Sequence, residues 1–77
     1  MIVNLIQMQS RQKGIVVEIR GGQGMANKLC NMGLRPGKEI TKVSSQIWGG
    51  PQTIEVDNTQ IAIGYGMAQR IFVEVKE

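Results

Sequence analysis

Hydrophobic and polar residues alternate along most of this chain with a period of two, which is the spacing of a strand that buries one face. The first such run spans residues 15–20. Its pattern predicts that Ile15, Val17 and Ile19 share the buried face of a strand. Val16 departs from the alternation, which fits a curved sheet whose second face is partly covered.

One segment changes to the period of a helix. Met25, Leu29 and Met32 recur at positions i, i+4 and i+7, so they lie on one side of a helix. Gly33 follows the last of them, where helices commonly end in a left-handed residue that glycine adopts at little cost. The sequence therefore predicts one amphipathic helix over about residues 24–33.

Beyond residue 38 the period of two returns. It predicts further strands at residues 38–45, 53–57, 60–63 and 71–75, with a turn at 57–59 and one helical turn at 67–70. Residues 5–8 suit a short turn that packs as a lid. Five short strands and one helix favour a small, highly curved β-barrel, because an open sheet of this size would expose its edges. The expected fold is mainly β, with one domain over residues 1–77.

Composition supports a β fold and removes several chemistries. Ile and Val outnumber Leu and Ala, and ten glycines accompany them. The chain has no histidine and a single cysteine, Cys30, which excludes histidine-based catalysis and an intrachain disulfide. Neither a signal peptide nor a membrane span is recognisable, so a cytoplasmic protein is expected. With no catalytic constellation in view, we predict a non-enzyme that needs no cofactor and binds no metal.

Three local features each allow a structural and a chemical interpretation. The glycine-rich segment 21–24 precedes the predicted helix as phosphate loops do, but its spacing matches neither a P-loop nor a dinucleotide fingerprint. A structural turn is therefore expected there. Glu55 and Asp57 could share a strand face and contact a cation, although a solvated pair is the simpler interpretation. Cys30 is expected to be a buried structural thiol, with a reactive thiol as the alternative.

The candidate functional residues are those suited to contact with another protein. Trp48 lies at a predicted loop tip, where it could be an interface residue or could fold back over the barrel mouth. The residues predicted to contact a partner are Leu29, Ile47, Trp48, Gly49, Gly50, Pro51 and Tyr65. Leu29 has the alternative of being a core residue, and Tyr65 that of covering the barrel.

The chain resembles the ferrous-iron-transport protein A (FeoA) family in four segments taken in order: Lys28-Leu29-x-x-Met32-Gly33-Leu34-x-Pro36-Gly37, Gly49-Gly50-Pro51, Ile61-Ala62-Ile63 and Ala68-x-x-Ile71-x-Val73. The resemblance implies an SH3-like barrel with an inserted helix. It also implies a small cytosolic accessory protein that contacts the cytoplasmic GTPase region of the ferrous iron transporter FeoB and modulates its GTP-linked activity.

Two points qualify what the resemblance implies. Ser10-Arg11 stands where members of the family often have a Pro-Gly turn. The same module also forms the C-terminal domain of metal-dependent repressors, but no DNA-binding helices precede it here, so a free-standing protein is expected. The alternative function is a small basic barrel that binds nucleic acid, since the net charge is +3. The basic residues are scattered and aromatic residues are scarce, which counts against it.

Overall fold

The computed structural model describes residues 1–44 and 50–76, without the side chain of Ser44. The strands in these ranges are β1 (Ile2–Asn4), β2 (Lys13–Ile19), β3 (Glu39–Ser44), β4 (Gln52–Val56), β5 (Thr59–Ile63) and β6 (Ile71–Val75). The helices are α1 (Gly22–Asn31) and α2 (Tyr65–Ala68), and residues Leu5–Gln7 form a 3₁₀ turn. The predicted mainly β fold with one inserted helix is confirmed.

All described strands belong to one antiparallel sheet with the order β1-β6-β2-β3-β4-β5. The sheet curves into a small SH3-like barrel, but β1 and β5 do not pair, so it keeps two edges. β1 was not predicted from the sequence. Three residues are too few to display a period, and β1 exists because Val3 pairs with Val73 of β6.

From Ile15 to Val17 the buried face of β2 is the reverse of the predicted one. Val16 is 1% exposed, whereas Ile15 and Val17 are 39% and 40% exposed. Val16 pairs with the buried Val73, so both side chains point into the barrel. A bulge follows Val16 in this pairing, and the extra residue turns Ile19 back against the core.

Helix α1 begins two residues before the predicted start and contributes Leu29 to the core. Gly33 has a φ of 91°, and the N–H of Leu34 donates to the carbonyl of Leu29 at 2.9 Å, which ends the helix in the expected way. Leu29 and Leu34 are both 0% exposed. They join a core of residues contributed by every strand except β1: Leu5, Met8, Val16, Leu29, Leu34, Ile40, Ile54, Val56, Ile63, Ala68, Ile71, Val73 and Val75.

The N-terminal segment packs as the lid that the sequence predicts. Leu5 and Met8 are buried, and Asn4 and Gln7 form a reciprocal capping box around the 3₁₀ turn. The Gln7 N–H donates to Asn4 Oδ1 and the Asn4 N–H donates to Gln7 Oε1, both at 3.0 Å. This segment therefore has a defined structure above the barrel interior.

Candidate interaction surface

The β4–β5 hairpin brings two of the predicted contact elements together. Gln52 pairs with Ile63, so the residues that precede β4 lie beside those that follow β5. Gly50 and Pro51 therefore lie at the same end of the hairpin as Tyr65, which follows Ile63 by two positions and is the first residue of α2. Pro51 is exposed, and Tyr65 is half-buried. We call these three residues the hairpin-base surface.

A buried amide supports this surface from below. Gln52 is 1% exposed, and its Nε2 donates to the carbonyl of Gly50 at 3.0 Å. Its Oε1 is buried without a hydrogen-bond partner among the described residues. The bond fixes the backbone at Gly50 relative to the core, so this part of the surface is preorganised.

A buried ammonium lies on the neighbouring strand. Lys42 is 0% exposed, and its Nζ donates to the carbonyls of Leu5 at 2.6 Å and Met8 at 3.2 Å. Its backbone also pairs with the segment after the lid, since the Arg11 N–H donates to its carbonyl and its own N–H donates to the carbonyl of Gln12. Burial lowers the pKa of Lys42, because the charged form loses hydration. Lys42 thus ties the N-terminal segment to β3.

The other predicted contact residues are distributed differently. Ile47, Trp48 and Gly49 lie outside the described residues, so both interpretations of Trp48 stay open. Leu29 is fully buried between α1 and the sheet and presents no surface to a partner. The prediction that Leu29 contacts a partner is therefore corrected to its alternative, a core residue.

Sequence reasoning missed an exposed apolar position on the outer face of the sheet. Ile15 lies in a groove of about 350 Å³ between Glu39 of β3 and Glu74 of β6, with Lys13 and Lys76 nearby. The available signal was the run of three β-branched residues at 15–17. In a single pleated strand such a run must place at least one apolar side chain on each face.

Several basic residues are engaged within the chain. Arg20 Nε donates to Glu18 Oε2 at 3.0 Å, and this bond and charge raise the pKa of Arg20. The Arg20 guanidinium also covers the Phe72 ring, with its central carbon 4.6 Å from the ring centroid. Lys38 Nζ pairs with Asp57 Oδ2 at 2.7 Å. With Lys42 buried as well, three of the nine basic residues and one of the few aromatic rings are occupied internally.

The residues considered for cation binding and for thiol chemistry have different environments. Asp57 lies in the β4–β5 turn and pairs with Lys38, while Glu55 stays on the strand. Within residues 1–44 and 50–76, no group of three or more Cys, Asp or Glu residues is placed to hold a metal ion. Cys30 is exposed on α1, so the expectation of a buried thiol is wrong. Its neighbour Leu29 takes the inward position of that helical turn.

The glycine-rich segment 21–24 forms the start of α1, because the helix begins at Gly22, so the predicted turn is limited to a bend at Gly21. Gly21 and Gly22 have φ values of 135° and 87°, which side-chain-bearing residues rarely adopt. The Arg20 N–H donates to the carbonyl of Arg70 at 2.8 Å immediately before it. The positive φ values account for Gly21 and Gly22 by backbone geometry.

In the part of the chain that the structure describes, no helix is both long and apolar enough to cross a membrane.

Comparison with known proteins gives consistent matches along the whole chain. The family model of the FeoA domain matches residues 3–75. The chain is 36% identical over 63 residues to a curated protein of Methanocaldococcus jannaschii named Fe(2+) transport protein A, covering 82% of this chain and 74% of that protein.

Solved structures agree in fold. A crystal structure described as the iron uptake regulatory protein FeoA superposes with a TM-score of 0.88 at 42% identity, covering 99% of both chains. A manganese-dependent transcriptional repressor superposes with a TM-score of 0.86 at 17% identity, covering 97% of this chain and 42% of the repressor. At that identity the repressor shows a shared fold alone.

Proposed function

The chain belongs to the FeoA domain family, and on that premise we propose that it is an adaptor that contacts the cytoplasmic part of a FeoB-type transporter and modulates its GTP-linked activity. Its role lies in ferrous iron uptake, as in the relatives that carry the same domain. Proteins of this family are accessory to transport. The contact with FeoB, its effect on GTP hydrolysis and a cytoplasmic location are the proposed parts.

The observation that supports contact through a defined surface is the pairing of Gln52 with Ile63. This pairing brings Gly50, Pro51 and Tyr65 to the same end of the hairpin, and the Gln52 amide holds Gly50 in place. A preorganised surface loses less conformational entropy on binding than a mobile one. Tyrosine is also enriched among residues that dominate binding energy. Ile47, Trp48 and Gly49 directly precede this surface in the sequence, and we include them in the proposed contact.

The internal pairing of basic residues favours this proposal over nucleic-acid binding. Arg20 and Lys38 pair with carboxylates, and Lys42 is buried. Phe72, which could stack on a base, lies under the Arg20 guanidinium. Nucleic-acid affinity depends on clustered, accessible cations and stacking rings.

The test is calorimetric titration of this protein against the isolated cytoplasmic GTPase region of a FeoB-type transporter, with and without a GTP analogue. We expect a saturable isotherm that changes with the nucleotide. The variants Trp48→Ala and Tyr65→Ala should each weaken binding by about tenfold or more, as loss of an aromatic interface residue does. GTP hydrolysis by the same region, measured with increasing amounts of this protein, reports any modulation.

Ile15→Ala is the matched control, because Ile15 is an exposed apolar residue outside the hairpin-base surface. It should bind like the unmodified protein. Circular dichroism on every variant separates lost contact from lost fold. Absence of heat in both nucleotide states, with the protein folded, would contradict direct contact with this region. Equal weakening by Ile15→Ala would move the contact to the outer face of the sheet.

A further inference from the structure

β5 is an edge strand that lacks the usual protection against pairing. It spans Thr59–Ile63 and contains neither a charged residue nor a proline, and its pairing with β4 runs without a bulge. Soluble proteins commonly protect such edges with lysine, proline, bulges or very short strands. The opposite edge, β1, is only three residues long, and its Asn4 N–H is occupied by Gln7 Oε1. Of the two edges in the described part of the chain, β5 is therefore the more accessible.

The β4–β5 turn determines which backbone groups of β5 are free. Asp57 and Asn58 have φ values of 51° and 66°, as the two-residue type I′ turn requires. In such a hairpin the residues that close the turn form a hydrogen-bonded pair, and bonded and non-bonded pairs then alternate. Thr59, Ile61 and Ile63 thus bond to β4, while the N–H and C=O groups of Gln60 and Ala62 point away from it.

These outward groups have no partner in the described part of the chain. Gln60 and Ala62 are exposed, and the backbone hydrogen bonds between the described elements involve neither residue. The two residues are separated by one position, so their free groups match the spacing of hydrogen-bonded pairs in an antiparallel ladder.

From this spacing we infer that β5 pairs antiparallel with β5 of a second copy of this chain, about a twofold axis at Ile61. Gln60 then lies opposite Ala62 of the second copy, and both residues exchange N–H and C=O bonds. Ile61 faces Ile61 of the second copy as a non-bonded pair, in which side chains approach most closely. The free donors and acceptors of both edges are satisfied by this single register.

The side chains fit the same register. Ile61 is half-buried against the core, and its remaining exposed surface is covered by Ile61 of the second copy. On the outer face, the row of side chains across the two hairpins is Glu55, Gln60, then Ala62 and Thr53 of the second copy. No carboxylate therefore lies opposite another carboxylate. A strand without charge can pair with itself without like-charge repulsion, which favours a second copy as the occupant.

Two five-residue edges bury far less than the roughly 800 Å² per partner of stable complexes. The association is therefore weak. The proposal is independent of contact with a transporter.

The test follows the ¹⁵N-labelled protein from about 0.05 to about 1.5 mM by sedimentation equilibrium and amide hydrogen exchange. The average mass should rise toward that of a dimer. Exchange at Gln60 and Ala62 should slow as the concentration rises, while Thr59, Ile61 and Ile63 keep the protection that β4 provides. Isotope-filtered NOEs on a mixed labelled and unlabelled sample should connect Ile61 to Ile61 of the second copy.

Ala62→Pro removes an outward N–H without touching the bonds to β4, and it should abolish the rise in mass. Ala62→Ser is the matched control, because it keeps the N–H and a small side chain, and it should associate like the unmodified protein. The double variant Gln60→Lys, Ala62→Lys is a second test that stays usable if Ala62→Pro unfolds the hairpin. It places lysine opposite lysine on the solvated face and should weaken association at least tenfold.

A constant monomer mass up to about 1.5 mM would overturn the proposal, as would association with slowed exchange elsewhere than at Gln60 and Ala62. Association of the double lysine variant at unmodified strength would also overturn it. Slowed exchange at these two amides only after a different protein is added would show that the edge accepts a foreign strand instead.

Discussion

Lys42 and Leu5 are joined across the barrel by a 2.6 Å hydrogen bond from the Lys42 ammonium to the Leu5 carbonyl. They are 37 positions apart in the sequence, and both are fully buried. The same ammonium reaches the Met8 carbonyl, so one side chain holds both ends of the lid.

Lys42→Ala should lower the free energy of unfolding by about 2–4 kcal/mol, because it removes the packed aliphatic stem and both ammonium bonds, which leaves the Leu5 carbonyl with the 3.4 Å bond from the Met8 N–H. Chemical denaturation measures this loss. Amide exchange should accelerate over residues 5–12 more than in β6. Lys28→Ala, at an exposed position of α1, is the control and should change stability by less than about 0.5 kcal/mol. An equal effect of both variants would contradict the structural role of Lys42.

Stability should depend on pH through Lys42. Burial lowers its folded-state pKa below the ordinary value of 10.5, so between these two values the unfolded chain binds more protons than the folded one. Stability therefore rises with pH across this window as the cost of the buried charge disappears.

Lys42→Met removes the titrating group but keeps an apolar stem. Denaturation of both proteins at several alkaline pH values gives the free energy of unfolding as a function of pH. Lys42 should add a positive contribution to the slope of this curve in the unmodified protein alone. Parallel curves would mean that the folded and unfolded pKa values of Lys42 coincide.

The reversed face of β2 predicts opposite effects at adjacent positions. Val16→Ala should cost about 1–3 kcal/mol, because the side chain is buried against Val73. Val17→Ala should cost less than about 1 kcal/mol, since Val17 is 40% exposed. Thermal and denaturant unfolding of the pair measures the difference. A larger loss at Val17 would support the face predicted from the sequence.

Gly14 is required by a close approach of two strands. A Cβ added there would lie 2.8 Å from the Glu74 carbonyl oxygen and would collide with Val73. Gly14→Ala should therefore destabilise the protein by about 1–3 kcal/mol, the usual cost of overpacking.

Gly24→Ala provides the matched control in α1, where an added Cβ meets nothing within 4 Å. It should stabilise the protein by about 0.5–1 kcal/mol through helix propensity. The two melting temperatures should therefore shift in opposite directions. A neutral Gly14→Ala would mean that β2 and β6 can separate locally without cost.

Local patterns in the sequence predicted much of the fold. The apolar spacing of Met25, Leu29 and Met32 with Gly33 after it located α1 to within two residues. Turn chemistry located the β4–β5 hairpin, because Asp57 and Asn58 tolerate the positive φ that a two-residue loop needs. The resemblance to the FeoA family, carried by short segments at fixed spacing, was confirmed over residues 3–75.

Local sequence patterns predicted only part of the candidate surface. The sequence pattern suggested Gly50, Pro51 and Tyr65 separately, and the Gln52–Ile63 pairing places them at one end of the hairpin. Leu29 was selected for a surface and lies in the core, while Cys30 was expected in the core and is exposed. Leu29 and Cys30 are adjacent on α1 and therefore face different directions around the helix axis. The way α1 packs decides which of the two is buried.

The sequence by itself determined where the strands other than β1, the helix α1 and the β4–β5 turn form, because these depend on spacing, φ preferences and chain reversal over a few residues. Only the tertiary structure decided which face of β2 is buried, that β1 adds to β6 and that Lys42 is enclosed beneath the lid. Each of these depends on a partner distant in the chain. A bulge after Val16 or a carbonyl at Leu5 changes the environment of a side chain without leaving any mark on its local sequence.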